Sequence, residues 1–381
     1  MKTLIVGGGP VGLAAALALK ARGITDDITV LEAAPRAAEA FSDRNIALSA
    51  ASWRFLSGIG VRVPDEARAT IREVEITQRG AFGLLRLDAR EIETTELGAA
   101  TPYPALKTAL DHATHAAGIN VLYNAKAAAV HHIAQRASVH LESGEQMQAD
   151  CVVLADGAGS DLVAEFKRIE RDSGQIAVIT RVSAAKPRSG VAFERFTAGG
   201  ALALIPRADQ QWTVIWARAR AEAERLLQMD SDAFGEEIHA AFGVSMGALT
   251  VTAKLTSYPL VWRFVEPRAA GAIVALGNAA QGLHPVAAQG LNLGLRDALD
   301  LSDTFARVQS STDSTSIAAA LGRFARTRGL DRVMRIGFTG LLAYGFDRGG
   351  WVADVPRGAG LTALQLVPPL KREITRKLAL T

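Results

Sequence analysis

Residues 3–32, TLIVGGGPVGLAAALALKARGITDDITVLE, read as strand, glycine turn, helix and strand in immediate succession. Thr3 to Val6 is a short apolar strand, Gly7-Gly8-Gly9-Pro10-Val11-Gly12 the turn, Leu13 to Arg22 an Ala- and Leu-rich helix, and Ile28 to Leu31 a second strand. Gly7, Gly9 and Gly12 fit G-x-G-x-x-G, whose glycines serve the tight turn, the close approach of a pyrophosphate and the packing of helix on strand. Glu32 follows about 20 residues after the last glycine, the spacing at which an acid meets a ribose hydroxyl pair. A glycine turn alone would say little. Between a strand and a helix, with an acid in register, it points to an adenine dinucleotide.

A second glycine-bearing stretch lies far along the chain, Gly277 to Asp297, GNAAQGLHPVAAQGLNLGLRD. The preceding AGAIVAL (Ala270 to Leu276) suits a buried strand, and Leu291, Leu295, Ala298 and Leu299 give the following segment a helical stripe. Gly290 lets another molecule approach the backbone, and the N–H groups near Gln289 to Asn292 can face partial negative charge. A bare βα connection would read the same way on its own.

Between these ends, Asp43-Arg44 precedes a helix carrying Trp53, Phe55 and Leu56, either as a cap with a surface ion pair or with Arg44 beside a cofactor. Ile71 to Leu87 turns to strands, Pro104 opens a helix, and Asn120–Tyr123, Ala127–His132, Ala137–Leu141 and Gln146–Leu154 read as short strands returning to the first sheet. Adjacent His131 and His132 point to opposite faces of a strand, so no shared metal is expected. Asp156-Gly157 follows the apolar run Val152 to Ala155, where the acid can cap a helix or accept from a cofactor hydroxyl. From Gln175 to Trp262 alternating strands IAVITRVS, GVAFERF, ALALIPR and WTVIWAR dominate, interrupted by helices over Ala221–Met229 and Asp232–Phe242. Trp212, Val214 and Trp216 share one strand face with Phe193, Leu202 and Leu204 placed alike, a core pattern. Ile317 to Leu342 reads as helix, and the tail from Leu361, with Pro368-Pro369 and Lys371-Arg372, reads as a solvated terminal helix or as a contact for a membrane surface or partner.

A chain of 381 residues exceeds one usual core, so about two domains are expected. At 21% charged and 49% apolar it is globular, and a net charge of +3 without a basic block excludes nucleic acid as an expected partner. One cysteine, Cys151, permits no internal disulfide or cysteine metal cluster, and no apolar run reaches membrane-spanning length. A cytoplasmic protein follows, with contact at the inner face of the membrane left open through the tail.

Five ordered motifs carry a resemblance: the N-terminal glycines with Glu32, DRNIALSAAS from Asp43, Ala155-Asp156-Gly157, FERFTAGGALALIP from Phe193, and the stretch from Gly277. In this order they resemble the single-component FAD aromatic hydroxylases, and most of all those of ubiquinone biosynthesis, over Leu4 to about Phe346. The resemblance implies an α/β fold: a Rossmann-like FAD-binding domain (1–70, 100–174 and 263–310), an inserted mainly antiparallel substrate domain (71–99 and 175–262) and a C-terminal helical region (311–381). It places Gly7, Gly9, Gly12 and Glu32 at the ADP half of FAD, Arg44 beside the cofactor, Asp156 and Gly157 at the dinucleotide, and Gly277 and Asn278 at the ribityl chain. Pro285 would lie beside the ring, with the backbone of Gly290, Leu291 and Asn292 at its pyrimidine edge.

The implied activity is hydroxylation of an aromatic ring, a polyprenylated phenol, with O2 and NADH or NADPH, through a hydroperoxide at flavin C4a. No side chain is assignable as catalytic acid or base; Pro285 and Gly290 would shape the reactive face. A small soluble aromatic substrate, or a non-oxygenating FAD-binding subunit of a biosynthetic assembly, stands as the alternative, and a homo-oligomer is compatible with either. The chain departs from the family pattern at Asn278 (usually Asp), Gln281 (usually His) and Ala288 (usually Gly).

Overall fold

The computed structural model describes residues 1–36, 43–80, 82–157, 161–282, 289–309, 316–329 and 351–380. The first sheet grows from the opening stretch: β1 (Thr3–Val6) pairs in parallel with β2 (Ile28–Leu31) on one side and with β12 (Cys151–Leu154) on the other. β8 (Asn120–Leu122) and β20 (Ile273–Ala275) extend it in parallel, and β19 (Ala269–Ala270) ends it antiparallel, in the order β19-β20-β12-β1-β2-β8. Every residue of β1, β2 and β12 is buried, which is why they read as unbroken apolar runs rather than alternations. Cys151 lies fully buried in this sheet, and burial pushes its thiol up to about 12.

One face of the sheet is covered by α1 (Pro10–Ala21), α2 (Ala50–Gly58), α3 (Tyr103–Ala116), α6 (Gln289–Gln309) and α7 (317–329), whose Leu13, Leu17, Leu56, Leu106, Leu295 and Phe324 meet in one core. The other face carries a separate antiparallel sheet of β9 (Ala127–Ile133), β10 (Arg136–Leu141) and β11 (Gln146–Ala149). This corrects the expectation that the whole run returns to the first sheet; only β8 and β12 do. β9 buries only Val130 and β11 only Ala149, which suits a covering layer and not a strand buried on both faces. His131 and His132 fall on opposite faces as expected, His131 against the His140 ring at 5.1 Å and His132 near Glu165 at 3.8 Å.

The second large sheet has nine strands: β5 (Glu73–Gln78), β6 (Leu84–Asp88), β13 (Lys167–Ala184), β14 (Val191–Thr197), β15 (Gly200–Pro206), β16 (Trp212–Ala219), β17 (Leu249–Val251), β18 (Thr256–Glu266) and β21 (Gln281–Gly282). Its order is β21-β18-β13-β16-β15-β14-β5-β6 with β17 beside β13, antiparallel except where β14 runs parallel to β5. β13 and β18 run from Lys167 and to Glu266, so the sheet extends past both ends of 175–262. α4 (Arg220–Leu227) and α5 (Ser231–Phe242) pack on one face, where Trp212, Val214, Trp216, Phe193, Leu202 and Leu204 form a core with Phe234 and Ile238.

A small sheet of β3 (Asn45–Ser49), β7 (Gly98–Pro102) and β4 (Ala69–Ile71) joins the two large ones. Asp43-Arg44 therefore does not enter a helix: β3 intervenes, Ser49 caps α2 by accepting from Ser52 N, and Asp43 pairs with Arg181 and Arg207. The tail is not a solvated terminal helix. α8 (Trp351–Leu366) and α9 (Pro368–Leu380) pack on β6, burying Leu361 and Ala379 with Leu85 and Leu87. Residues 330–342 of the expected helix lie outside the described residues.

Candidate functional site

Two cavities meet in the middle of the molecule. The first, about 590 Å³, opens at the C-terminal ends of β1, β2 and β12, where the chain order of the parallel sheet switches direction. Gly7 stands at φ +107°, and a Cβ there would lie 2.4 Å from the Ala155 carbonyl oxygen. A Cβ on Gly12 would lie 2.0 Å from the Gly7 carbonyl oxygen, whereas one on Gly9 would meet nothing within 4 Å. The first and third glycines are thus required by turn and packing, and the second is required only if a molecule approaches from the cavity. α1 starts at Pro10 without a side-chain cap, which leaves its first-turn amides and positive dipole end at the cavity with no side-chain acceptor from the cap residue.

Glu32 Oε2 accepts from Gly8 N at 2.7 Å and Oε1 from Ala34 N at 2.8 Å, so the carboxylate braces the glycine turn from the end of β2. Arg44 lines the same cavity with its guanidinium 4.1 Å from the centre of the Tyr103 ring. Asp156 and Gly157 line it from the end of β12. Residues 158–160, which follow Asp156-Gly157, lie outside the described residues. Asn278, Gly290 and Leu291 complete the wall. Pro285 lies outside the described residues.

Gly277, at φ +54°, does not line the cavity; its N–H donates to Asp297 Oδ2 at 3.0 Å, and a Cβ on it would press on Val11 at 3.0 Å. Asp297 is fully buried and also takes Arg268 at 2.8 Å and Arg328 at 2.8 Å, so one carboxylate ties the Gly277 turn to α6 and α7. Asn292 was expected to act through its backbone. Its side chain is a clamp: Oδ1 accepts from Ser49 N at 2.9 Å and Ser52 Oγ at 2.7 Å, and Nδ2 donates to Ala47 O at 3.1 Å.

The second cavity, about 420 Å³, adjoins the first at β3 and the first turn of α6: Ile46 and Leu291 face one, Ala47 and Asn292 the other. Its walls are α2, α6, the free face of the nine-stranded sheet and, unforeseen from the sequence, the C-terminal helices through Leu361, Leu364 and Leu378. Most of it is aliphatic, with Phe55, Phe193 and Phe196 among the lining and the polar groups Ser49, Ser52, Asn292, Arg296 and Asp300 on the α2 and α6 side. Glu194 on β14 is the exception on the sheet, and burial pushes its carboxyl up to about 7. Asp300 on α6 is also raised, first by burial, with Arg328 and Arg296 opposing. Among the described residues no cluster of metal-ligating side chains occurs.

A polar cleft with a helix N-terminus, opening onto an apolar chamber, can hold a dinucleotide and present it to a greasy ring. The chain is 29% identical to 3-demethoxyubiquinol 3-hydroxylase of Escherichia coli, over 97% of this chain and 96% of that one. It is 27% identical to ubiquinone hydroxylase UbiL of Rhodospirillum rubrum, over 98% and 88%. In fold it resembles PqsL, a probable FAD-dependent monooxygenase from Pseudomonas aeruginosa, at 20% identity with a TM-score of 0.77, covering 95% of this chain and 99% of that chain. p-Nitrophenol 4-monooxygenase PnpA from Pseudomonas putida superimposes with a TM-score of 0.76 at 17% identity, covering 99% and 98%. The family model described as FAD binding domain matches residues 1–322, and the chain belongs to that family.

Proposed function

We propose that the protein is an FAD-dependent monooxygenase that hydroxylates an aromatic ring, a polyprenylated phenol on the route to ubiquinone, with NADH or NADPH as electron donor. The observation that carries this is the aliphatic chamber adjoining the dinucleotide cleft at β3 and the start of α6. At about 420 Å³ it falls in the range of about 300–1,000 Å³ that holds a drug-sized ligand, and Leu85, Leu87, Leu364 and Leu378 favour an isoprenoid over a charged compound. The named substrates of the two curated relatives support the same choice.

In this reading Gly7, Gly9 and Gly12 admit the pyrophosphate, the α1 amides meet its charge, Glu32 stands at the ribose, and Arg44, Asp156 and Gly157 border the rest. Asn278 would donate to or accept from the ribityl hydroxyls without adding charge, and the backbone from Gly290 to Asn292 would hold the flavin edge; the resemblance assigns Pro285 to the same ring. Bound FAD supplies the redox chemistry, taking electrons from the nicotinamide and passing them to oxygen. The protein's own part is to hold the ring in the chamber, keep water out with its aliphatic walls and fix β3 against α6 through Asn292. Segments 71–99 and 175–262 then supply the substrate side, and 1–70, 100–174 and 263–310 the cofactor side.

A membrane contact belongs to the same reading, since the substrate class is membrane-borne. Leu366, Val367 and Leu370 are exposed at the junction of the two helices that wall the chamber. Lipid extracts of a deletion strain test the function: an under-hydroxylated quinone precursor is expected to accumulate, and an unchanged quinone pool would sink the assignment.

A further inference from the structure

Glu194 is out of place for a structural residue. It sits at the middle of β14, opposite Ala203 on β15 and Ile76 on β5. Strand alternation sends Phe193 to the α5 core and Glu194 to the chamber, among Ala192, Phe196, Val74 and Leu87. It is the only charged residue the sheet contributes to that wall among the described residues. Its Oε1 is buried with no hydrogen-bond partner.

The contrast with its neighbours is sharp. Glu73 and Glu75, on the other face of β5, are each bridged, Glu73 to Arg86 at 2.8 Å and Glu75 to Arg188 at 2.9 Å. The other charges on the chamber wall, Arg296 and Asp300 of α6, are paired with each other at 3.8 Å, and Asp300 also with Arg328 at 3.2 Å. No such partner serves Glu194, whose shift has burial as its cause. An isolated carboxylate on an aliphatic surface is costly unless something brings a donor to it.

We infer that Glu194 is the residue that receives the substrate's phenol hydroxyl, accepting its hydrogen bond to aim the ring and taking its proton as the ring is attacked. This rests on the chamber being the ring site. In the transfer the phenol O–H bond breaks and an Oε–H bond forms; the electron pair stays on the phenol oxygen and enriches the ring, and the carboxylate becomes a carboxylic acid. Net charge in the chamber does not change, so no extra ion is placed in a dry site. A carboxyl raised to about 7 is also a stronger base than an ordinary one and is poised near working pH.

Calorimetric titration of the FAD-loaded protein with p-hexylphenol and its methyl ether, p-hexylanisole, tests the assignment without turnover. The wild type is expected to prefer the phenol by about tenfold or more, the worth of a hydrogen bond to a charged group. That preference should grow as pH rises through about 7. Glu194→Leu should lose the preference while binding the ether at least as well, and Glu194→Gln should keep part of it with no pH dependence. A Glu194→Leu protein that prefers the phenol as the wild type does overturns the assignment. Should Glu194→Leu bind neither compound, Glu194→Gln decides, and a wild-type pH dependence in it overturns the role. If the wild type binds neither, the chamber is not a ring site and the function and this role fall together.

Discussion

Glu32 and Glu194 show how differently two carboxyls can be employed. Glu32 is held by geometry, accepting from two backbone N–H groups at the mouth of the glycine turn. Glu194 has no such donor at Oε1 and answers burial by holding its proton, from an ordinary 4.5 up to about 7. The sign for stability follows. Between those values the native chain binds a proton that the unfolded chain has released, so Glu194 favours the native state least above the upper value and stability declines as pH rises through the window. Glu194→Gln removes this dependence. Thermal melts across that window should show the variant gaining on the wild type by about 1–3 kcal/mol toward alkaline pH; parallel curves would mean the carboxyl is solvated or paired. Glu32, Gly7, Gly9 and Gly12 were legible in the sequence because a local turn fixes their spacing. Glu194 was not, since its neighbours Ile76 and Ala203 come from register with two other strands. Asn292 was half-legible: its place at the start of α6 was clear, its grip on Ala47, Ser49 and Ser52 was not.

The C-terminal helices changed most between sequence and structure. α9 buries Lys371, Thr375 and Ala379, spaced four apart on one face, and Lys371 Nζ reaches Glu91 at 2.6 Å. That face contains no large apolar residue, so hydrophobic periodicity passed over it and made the helix look solvated. Ile374, Leu378 and Leu380 turn inward to the chamber. What remains outside is Leu366, Val367 and Leu370, near exposed Arg372 and Arg376. A Leu366→Ser, Leu370→Ser double variant should co-sediment less with anionic liposomes while its melting changes little, as expected for exposed positions. Unchanged sedimentation would detach this junction from any membrane role.

Across the molecule, the parallel sheet was readable because strands buried on both faces leave unbroken apolar runs, and the inserted antiparallel one because several strand-like segments follow one another between turn residues. The sheet of β9, β10 and β11 was misplaced for lack of any local mark of which sheet a short strand joins. The ion network that locks the Gly277 turn was invisible too, since Asp297, Arg268 and Arg328 converge only when α6, α7 and the strand near Ala275 are assembled.

The single thiol adds something for the bench. Cys151 sits on β12 between β1 and β20, in the middle of the sheet that builds the dinucleotide cleft. Shielded from solvent and pushed up to about 12, it offers almost no thiolate to a reagent, about one part in 10⁵ at neutral pH. It is therefore a natural timer for opening of the central sheet. Labelling by a thiol reagent should follow the population of the opened sheet and slow further when FAD saturates the protein, because a ligand held only by the native state lowers that population. Rapid labelling of the FAD-saturated protein would show that β12 can part from its neighbours while the cofactor stays in place.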